Sequence, residues 1–384
     1  MDWLAVRANY PGLKRATNLN SCSMGTPSEA TLAALGHYTD QWVALGASAW
    51  YELWLGEVAD WRKNVAKLIG CKAKEVAWTP SVSAALASLS GALDRHNRDG
   101  HGRFANRHEV IVGDLEFPTA LSTFSVRPKT SIRWAKSPDG TNIPAATYAA
   151  AMGPDTQAIV ASRVFYTTGA VQPVAEIQLA AKKAGALCII DDYQATGQLP
   201  LDVGKLGLDV AVGGSLKWLC GGVASGWMFV RSSLIKDLEP THAGWWANAG
   251  MFDFQPDTFR FWDDARRFEG GELNLPSLFT SNAAIKDLLK IGPARAAERT
   301  QHLARDLVER LEAAGLPLRI HPDPALRSAI VMVKARQPEK AVARLAKQGI
   351  IVDNRPGCVR LSPHFYNTEA EGELVVDRLQ AALA

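Results

Sequence analysis

The sequence predicts an α/β fold, with a large domain on a mainly parallel sheet followed by a small C-terminal α+β domain. Three observations predict it. First, short apolar runs end in polar clusters: residues 186–190 lead into Asp191-Asp192-Tyr193-Gln194, and residues 209–212 lead into Gly213-Gly214-Ser215-Leu216-Lys217. Buried strands of parallel sheets read this way, and their C-terminal ends are where such sheets bind ligands. Second, an apolar run at 158–162, an amphipathic stretch at 174–183 and the run at 186–190 have the spacing of a strand–helix–strand unit. Third, strands read at 317–321, 328–333 and 349–353 are interleaved with helices at 340–347 and 369–383, the pattern of a small α+β unit. On this reading residues 1–30 form an N-terminal arm, 31–280 the large domain and 281–384 the small one.

Each element follows from its residues. In the arm, Asn20, Ser21 and Gly25-Thr26-Pro27 read as a turn into the first helix. Residues 28–69 carry a helical pattern in which Trp50, Trp54 and Trp61 share a face, for packing or for one of them to stack on an aromatic substrate. A strand at 75–78 is followed by Thr79-Pro80-Ser81-Val82-Ser83 and an apolar helix at 84–93. Small polar residues at a helix start leave backbone N–H groups and the positive dipole end for an anion. Ser81, Val82 and Ser83 are therefore phosphate candidates, with N-capping the plainer use of the same residues. Residues 96–107 read as a polar loop. A strand at 109–113 ends at Asp114-Leu115-Glu116-Phe117-Pro118-Thr119, where Phe117 can lie flat on a planar ring or fill the core. One more strand follows at 227–230, and a long helical segment at 281–315 links the two domains.

Composition narrows the function classes. A net charge of +3 is too small to argue for nucleic acid, and charges interrupt every apolar run, so no membrane span is expected. The N-terminal stretch lacks the continuous apolar core of a signal peptide. Five scattered cysteines with no Cys-x-x-Cys pair, and no His-Glu-x-x-His, argue against a disulfide framework or a metal site and for a reducing cytoplasm. A dinucleotide-binding Gly-x-Gly-x-x-Gly after the first strand is absent, which weighs against a dehydrogenase.

The acid and the lysine at the two strand ends suggest a chemistry. A carboxylate beside a pyridinium nitrogen keeps it protonated, and a lysine forms a Schiff base with an aldehyde. Together these are the two main demands of pyridoxal 5′-phosphate. Asp191 is assigned to the ring nitrogen and Lys217 to the Schiff base; two solvent-facing polar residues are the alternative.

The sequence apolar-apolar-Asp-x-x-Gln at 189–194, then Leu-Asp-Val at 208–210, then Ser-x-Lys-Trp-Leu-x-Gly-Gly at 215–222 resembles the class V aminotransferase group of pyridoxal-phosphate enzymes, fold type I. The resemblance runs over nearly the whole chain, and the group holds transaminases, cysteine desulfurases, epimerases and kynureninases. It implies that Lys217 is the catalytic lysine and base, and that Asp191, Gln194 (on the ring hydroxyl), Phe117, Ser81, Val82, Ser83 and Ser215 hold the cofactor. It implies Arg360, in Arg-x-Ser-x-x-x-Tyr-Asn, as the holder of the substrate carboxylate, with Ser21 on the substrate side. Several motifs resemble kynureninases: Phe117-Pro118, Gly244-Trp245-Trp246 (where Trp245 matches a tryptophan that reaches the neighbouring subunit's cofactor phosphate), Asn274 as a substrate contact, and the short loop before Arg360. Gln194, which matches the group's glutamine, stands where kynureninases have histidine, and Leu216 (tyrosine in kynureninases), Ala120 and Asn248 also depart from the kynureninase pattern, while Glu272 stands where class V enzymes usually have threonine. Desulfurases carry a longer, cysteine-bearing loop before the arginine; here Cys358 reads as structural. The resemblance thus implies a homodimer with shared active sites, acting on an amino acid without nucleic-acid or membrane partners. The leading expectation is a kynureninase-like hydrolase or lyase cleaving at Cβ–Cγ or Cβ–X. A class V aminotransferase is the alternative, and a desulfurase-like lyase or an epimerase follows it.

Overall fold

A computed structural model describes residues 1–383. Its main sheet has seven strands: β1 (Val76–Thr79), β2 (Glu109–Gly113), β3 (Ser131–Ala135), β4 (Thr156–Ser162), β5 (Leu187–Asp191), β6 (Val210–Gly214) and β7 (Gly226–Val230). They lie in the order β1-β7-β6-β5-β4-β2-β3. β7 runs antiparallel to both of its neighbours and the remaining pairs are parallel. The reversal follows from chain length: β6 and β7 are joined by the short loop that carries Lys217, which leaves no room for a crossover helix.

The sheet is covered on both faces, which is why its inner strands are continuously apolar. Cys188 and Ile190 of β5 pack on one side with Ile159, Trp227 and Trp61. Leu187 and Ile189 point to the other side, among Val160, Val210, Leu86 and Leu89. Helices Leu55–Ile69, Val82–Asp99 and Val174–Ala184 supply much of this cover. β3 is one of the two edge strands, with Ser131, Arg133 and Trp134 exposed, and it has no apolar run to mark it in the sequence.

The C-terminal part has its own three-stranded antiparallel sheet, β8 (Val331–Lys334), β9 (Asp353–Arg355) and β10 (Cys358–Leu361), in the order β9-β10-β8. Leu307, Leu311, Val331, Val359, Leu361 and Leu379 form its core with helices Pro293–Ala313 and Glu369–Leu383. The arm is tied to this part. Thr17–Asn18 pairs in parallel with Ile350–Ile351, and Asn20 bridges Ser362.

Four expectations are adjusted. The helical stretch at 28–69 is broken into Glu29–Leu45, a 3₁₀ turn, a π turn at Trp50–Trp54 and Leu55–Ile69, because Gly46 turns the chain at φ +52°. The helix after β1 continues to Asp99 through residues expected to be a loop, and Gly100 ends it in the left-handed conformation. The long segment at 281–315 is two helices, Leu275–Ile291 and Pro293–Ala313, parted by Gly292. Residues 317–321 contribute only a bridge from Leu318 to Val333. Among the described residues no helix is long and apolar enough to cross a membrane.

Candidate active site

The C-terminal ends of β2, β4, β5 and β6 and the start of helix Val82–Asp99 converge on a cavity of about 210 Å³. Ser81, Val82, Ser83, Phe117, Asp191, Gln194 and Lys217 line it, which brings together seven of the residues the sequence singled out. Thr119, Ser162, Val164, Tyr166, Tyr193 and Leu216 complete the wall.

Lys217 is held by backbone geometry on both sides. Gly25 N–H donates to the Leu216 carbonyl at 3.0 Å, and Cys220 N–H donates to the Lys217 carbonyl at 3.0 Å. A Cβ on Gly25 would collide with the Lys217 carbonyl, so the Gly-Thr-Pro turn of the arm needs a glycine to close over this loop. The ammonium lies 4.3 Å from the Tyr193 ring centroid and 5.9 Å from that of Phe117. Gly214 makes room for the Tyr193 ring, which a Cβ there would strike. Burial lowers the Lys217 ammonium to about 8; Asp191 and Cys22 oppose the change, and the charges of Arg360 and Arg355 add to it. A lysine so placed deprotonates readily near neutral pH, as a nucleophile or base requires.

Neighbouring aspartates divide their work by strand alternation. Asp192 turns away from the cavity into a fully buried pair with Arg163, which donates Nη2–H to Asp192 Oδ2 at 3.0 Å. Asp191 faces the cavity, with Tyr193 N–H donating to its Oδ1 at 2.8 Å. Burial raises the Asp191 carboxyl to about 6, against the pull of the Tyr193 N–H and of Lys217. Glu116 lies behind it and accepts the Ser162 N–H at 2.8 Å; burial pushes its carboxyl to about 8. Gln194 is clamped, accepting Trp218 Nε1–H at 3.1 Å and donating Nε2–H to the Cys22 carbonyl at 3.0 Å.

At the far edge, Ser81 caps helix Val82–Asp99 by accepting Ala84 N–H at 3.1 Å. The Val82 and Ser83 N–H groups make no hydrogen bond among the described residues, and the Ser83 and Thr119 hydroxyls meet at 2.6 Å. This is an anion cradle beside a planar-ring site. An uncommitted amine, a buried carboxylate, an aromatic wall at Phe117 and a helix N-terminus around one cavity match the aldehyde, ring nitrogen, ring face and phosphate of pyridoxal 5′-phosphate.

Other expected residues lie elsewhere. Ser215 is buried, with its hydroxyl donated to the Gly222 and Ser225 carbonyls, so it shapes the lysine loop without lining the cavity. Ser21 is fully buried and its hydroxyl is 2.7 Å from that of Tyr366. Asn274 caps helix Leu275–Ile291, accepting Ser277 N–H at 3.2 Å. Trp245 is 41% exposed in a surface aromatic group with Phe252 and Phe254. Arg360 has no exposed surface. It donates Nε–H and Nη2–H to Asp353 at 2.8 and 2.6 Å, a second Nη2–H to Ser23 Oγ at 2.7 Å and Nη1–H to the Tyr166 carbonyl at 2.9 Å. Among the wall residues that sequence reasoning missed, Thr119 and Tyr193 sit beside motif residues, and that adjacency is the signal that could have found them. Ser162 ends a strand without any such neighbour.

Comparison with known proteins supports the pyridoxal-phosphate reading of the cavity. The family model described as Aminotransferase class-V matches residues 21–375. An uncharacterized aminotransferase, YcbU, of Bacillus subtilis (strain 168) is 28% identical over 98% of this chain and 96% of its own length. A probable cysteine desulfurase of Methanothermobacter thermautotrophicus is 24% identical over 98% of this chain and 96% of its own. In fold, the apo structure of a cysteine desulfurase from Thermococcus onnurineus NA1 superposes with a TM-score of 0.88 at 20% identity, covering 99% of this chain and 97% of that one. The names of these relatives point to the class as a whole, and away from the leaning toward kynureninase.

Proposed function

The chain belongs to the class V aminotransferase family of pyridoxal-phosphate enzymes, and from that premise we propose that it is an aminotransferase that exchanges the amino group of an amino acid. The observation that carries this reading is Lys217. It is the one amine among the described lining residues, its ammonium is lowered to about 8, and the Asp191 carboxylate shares its cavity. Bound there, pyridoxal phosphate supplies an electron sink for the Cα of an amino acid joined to it. Asp191 holds the ring nitrogen's proton, the Val82 and Ser83 N–H groups hold the phosphate, Phe117 covers a ring face, and Lys217 takes a proton from Cα and returns one.

Moving a proton at Cα needs one base, and Lys217 can serve throughout. Side-chain cleavage of the desulfurase kind needs a thiol at the substrate. Of the five cysteines, Cys22, Cys188, Cys220 and Cys358 are buried and Cys71 is half-buried, burial pushes all five thiols up, and none lines the cavity. Gln194 and Leu216 stand where the resemblance gives kynureninases a histidine and a tyrosine. The relative named an aminotransferase spans almost the full chain, which supports the same reading. We also read the protein as a homodimer, in which exposed Trp245, Phe254 and Tyr51 would meet a second copy; equilibrium sedimentation showing a monomer overturns this.

The test is product analysis. The protein loaded with pyridoxal phosphate is incubated with an amino-acid panel that includes kynurenine. A 2-oxo acid, with the cofactor left in its amine form and restored by a second 2-oxo acid, is expected. Release of alanine from kynurenine with the cofactor unchanged would overturn transamination in favour of side-chain cleavage.

A further inference from the structure

Glu116 sits in the turn between β2 and Phe117, and its carboxyl reaches Ser162, a residue of the cavity wall. Ser162 N–H donates to Oε1 at 2.8 Å, and the Tyr148 hydroxyl donates to the same oxygen at 3.4 Å. Oε2 shares a short hydrogen bond with Ser162 Oγ. A Cβ on Gly113, the last residue of β2, would lie 2.8 Å from the Tyr148 hydroxyl and 3.3 Å from Oε1, so a glycine there lets the group close. The steps assigned to Lys217 and Asp191 make no use of this carboxyl.

Its surroundings decide its charge. Ser162 stands opposite Asp191 in the β4–β5 ladder and both line the cavity, so a single serine parts the two carboxyls. The other titratable groups at hand are Tyr148 on helix Ala145–Ala151, Asp114 in the same turn, and Lys217 beyond Asp191. Asp191 has Lys217 and the Tyr193 N–H to hold its charge. Among the described residues no cation pairs with Glu116, whose hydrogen-bond partners are neutral. Of two neighbouring carboxyls, the one without a cation keeps its proton. Burial and the Asp191 charge raise the Glu116 carboxyl to about 8, in agreement. Oε1 already accepts two hydrogens, which leaves Oε2, facing Ser162 Oγ, to carry the acid hydrogen.

We propose that Glu116 is a positioning residue held as the neutral acid: it donates its hydrogen to Ser162 Oγ, frees the serine hydrogen to meet an acceptor oxygen of an anionic ligand in the cavity, and leaves Asp191 as the one carboxylate of the lining. Loss of the acid hydrogen reverses the bond. The serine hydrogen then turns back to Oε2, and a second negative charge lies near the ligand. The inference concerns binding of the cofactor and holds for any reaction carried out on it.

The first test reads the proton itself. Carbon-13 spectra of the cofactor-free protein, labelled at its glutamate carboxyls, should show a protonated carboxyl at pH 7 that ionises at about pH 8 and is missing from Glu116→Gln. The second reads binding of pyridoxamine 5′-phosphate, whose amine forms no Schiff base with Lys217, by tryptophan fluorescence. Wild-type affinity should fall as the pH rises through about 8. Lys217 loses its proton in the same range in wild type and variant alike, so the difference between their curves belongs to Glu116. Glu116→Gln, whose amide donates to Ser162 at every pH, should bind about 3- to 10-fold more tightly than wild type above that range, the reach of one hydrogen bond. Ser162→Ala should bind about 3- to 10-fold more weakly than wild type at pH 7. A Glu116 carboxyl ionised at pH 7, coincident curves for wild type and Glu116→Gln, or undiminished binding by Ser162→Ala would each overturn the proposal. If the probe binds none of the three proteins, the pyridoxal-phosphate reading of the cavity falls, while the carbon-13 spectra still decide the state of Glu116.

Discussion

The cavity and the hairpin that packs behind its Tyr166 are built on opposite principles. On the sheet side, polar groups are left open: the Lys217 ammonium donates no hydrogen bond among the described residues, the Val82 and Ser83 N–H groups are free, and Asp191 is held by a single N–H. On the hairpin side, β9 and β10 carry a network in which Arg360 and Asp353 satisfy one another. Open polar groups inside a protein cost stability, and a satisfied buried pair avoids that cost. The sheet side therefore keeps polar groups available for a ligand, and the hairpin side is a self-satisfied scaffold.

The most severe break falls on the sheet side. Lys217→Ala should lower turnover by roughly 10³-fold or more, since it removes both the attachment point and the base. Borohydride reduction followed by intact-mass measurement should find the cofactor covalently fixed to the wild-type chain and absent from the variant. Retained turnover would overturn the catalytic assignment. Asp191→Asn should come next, lowering turnover by about 100-fold or more while the phosphate cradle still binds the cofactor, because the amide cannot hold the ring nitrogen's proton by charge. Kinetics together with an absorbance titration of cofactor binding separates the two effects.

On the hairpin side the expected effect is structural. Asp353→Ala strips the partner from a fully buried guanidinium. Burial opposes ionisation of Asp353, but the hydrogen bonds and charge of Arg360 outweigh it and hold the carboxyl below its ordinary range. Removing one member of such a pair costs about 3 kcal/mol, because the charge left behind is uncompensated. Because the Asp353 carboxyl is depressed in the folded state, its contribution is present above its ordinary value and is lost as the pH falls through the folded one. Urea unfolding of wild type and variant at neutral pH and in acid should show the gap at neutral pH and its narrowing in acid.

What the sequence disclosed, and what it hid, follows the same division. Asp191, Lys217 and the 81–83 turn were legible because each sits at the end of an apolar run, where a local pattern marks a strand end or a helix start. The hairpin network was not legible. Asp353 and Arg360 are seven residues apart and meet only through strand register, and Ser23 joins them from 337 residues away. Ser21 and Asn274 misled because a small polar residue in a motif serves equally well as a buried hydroxyl or a helix cap, and here each does. Edge strand β3 was missed because an exposed strand has no apolar run to announce it.

The smallest prediction separates the cavity from the hairpin most cleanly, because its sign is opposite on each. Lys217→Met keeps the length of the side chain and removes its charge. In the protein without cofactor the folded-state value of about 8 lies below the ordinary 10.5, so between them the unfolded chain binds more protons and stability rises with pH. Below about 8 the full cost of enclosing the ammonium is present. The interval corresponds to roughly 3 kcal/mol, and because Lys217 lines an open cavity the recoverable part is about 2 kcal/mol. The methionine variant should therefore be more stable than wild type at pH 7, and the advantage should fade as the pH rises from about 8 toward 10.5. Urea unfolding across that range measures it. A variant less stable than wild type at neutral pH would mean that Lys217 is as well satisfied as Arg360, and the contrast between an open cavity and a closed hairpin would fail.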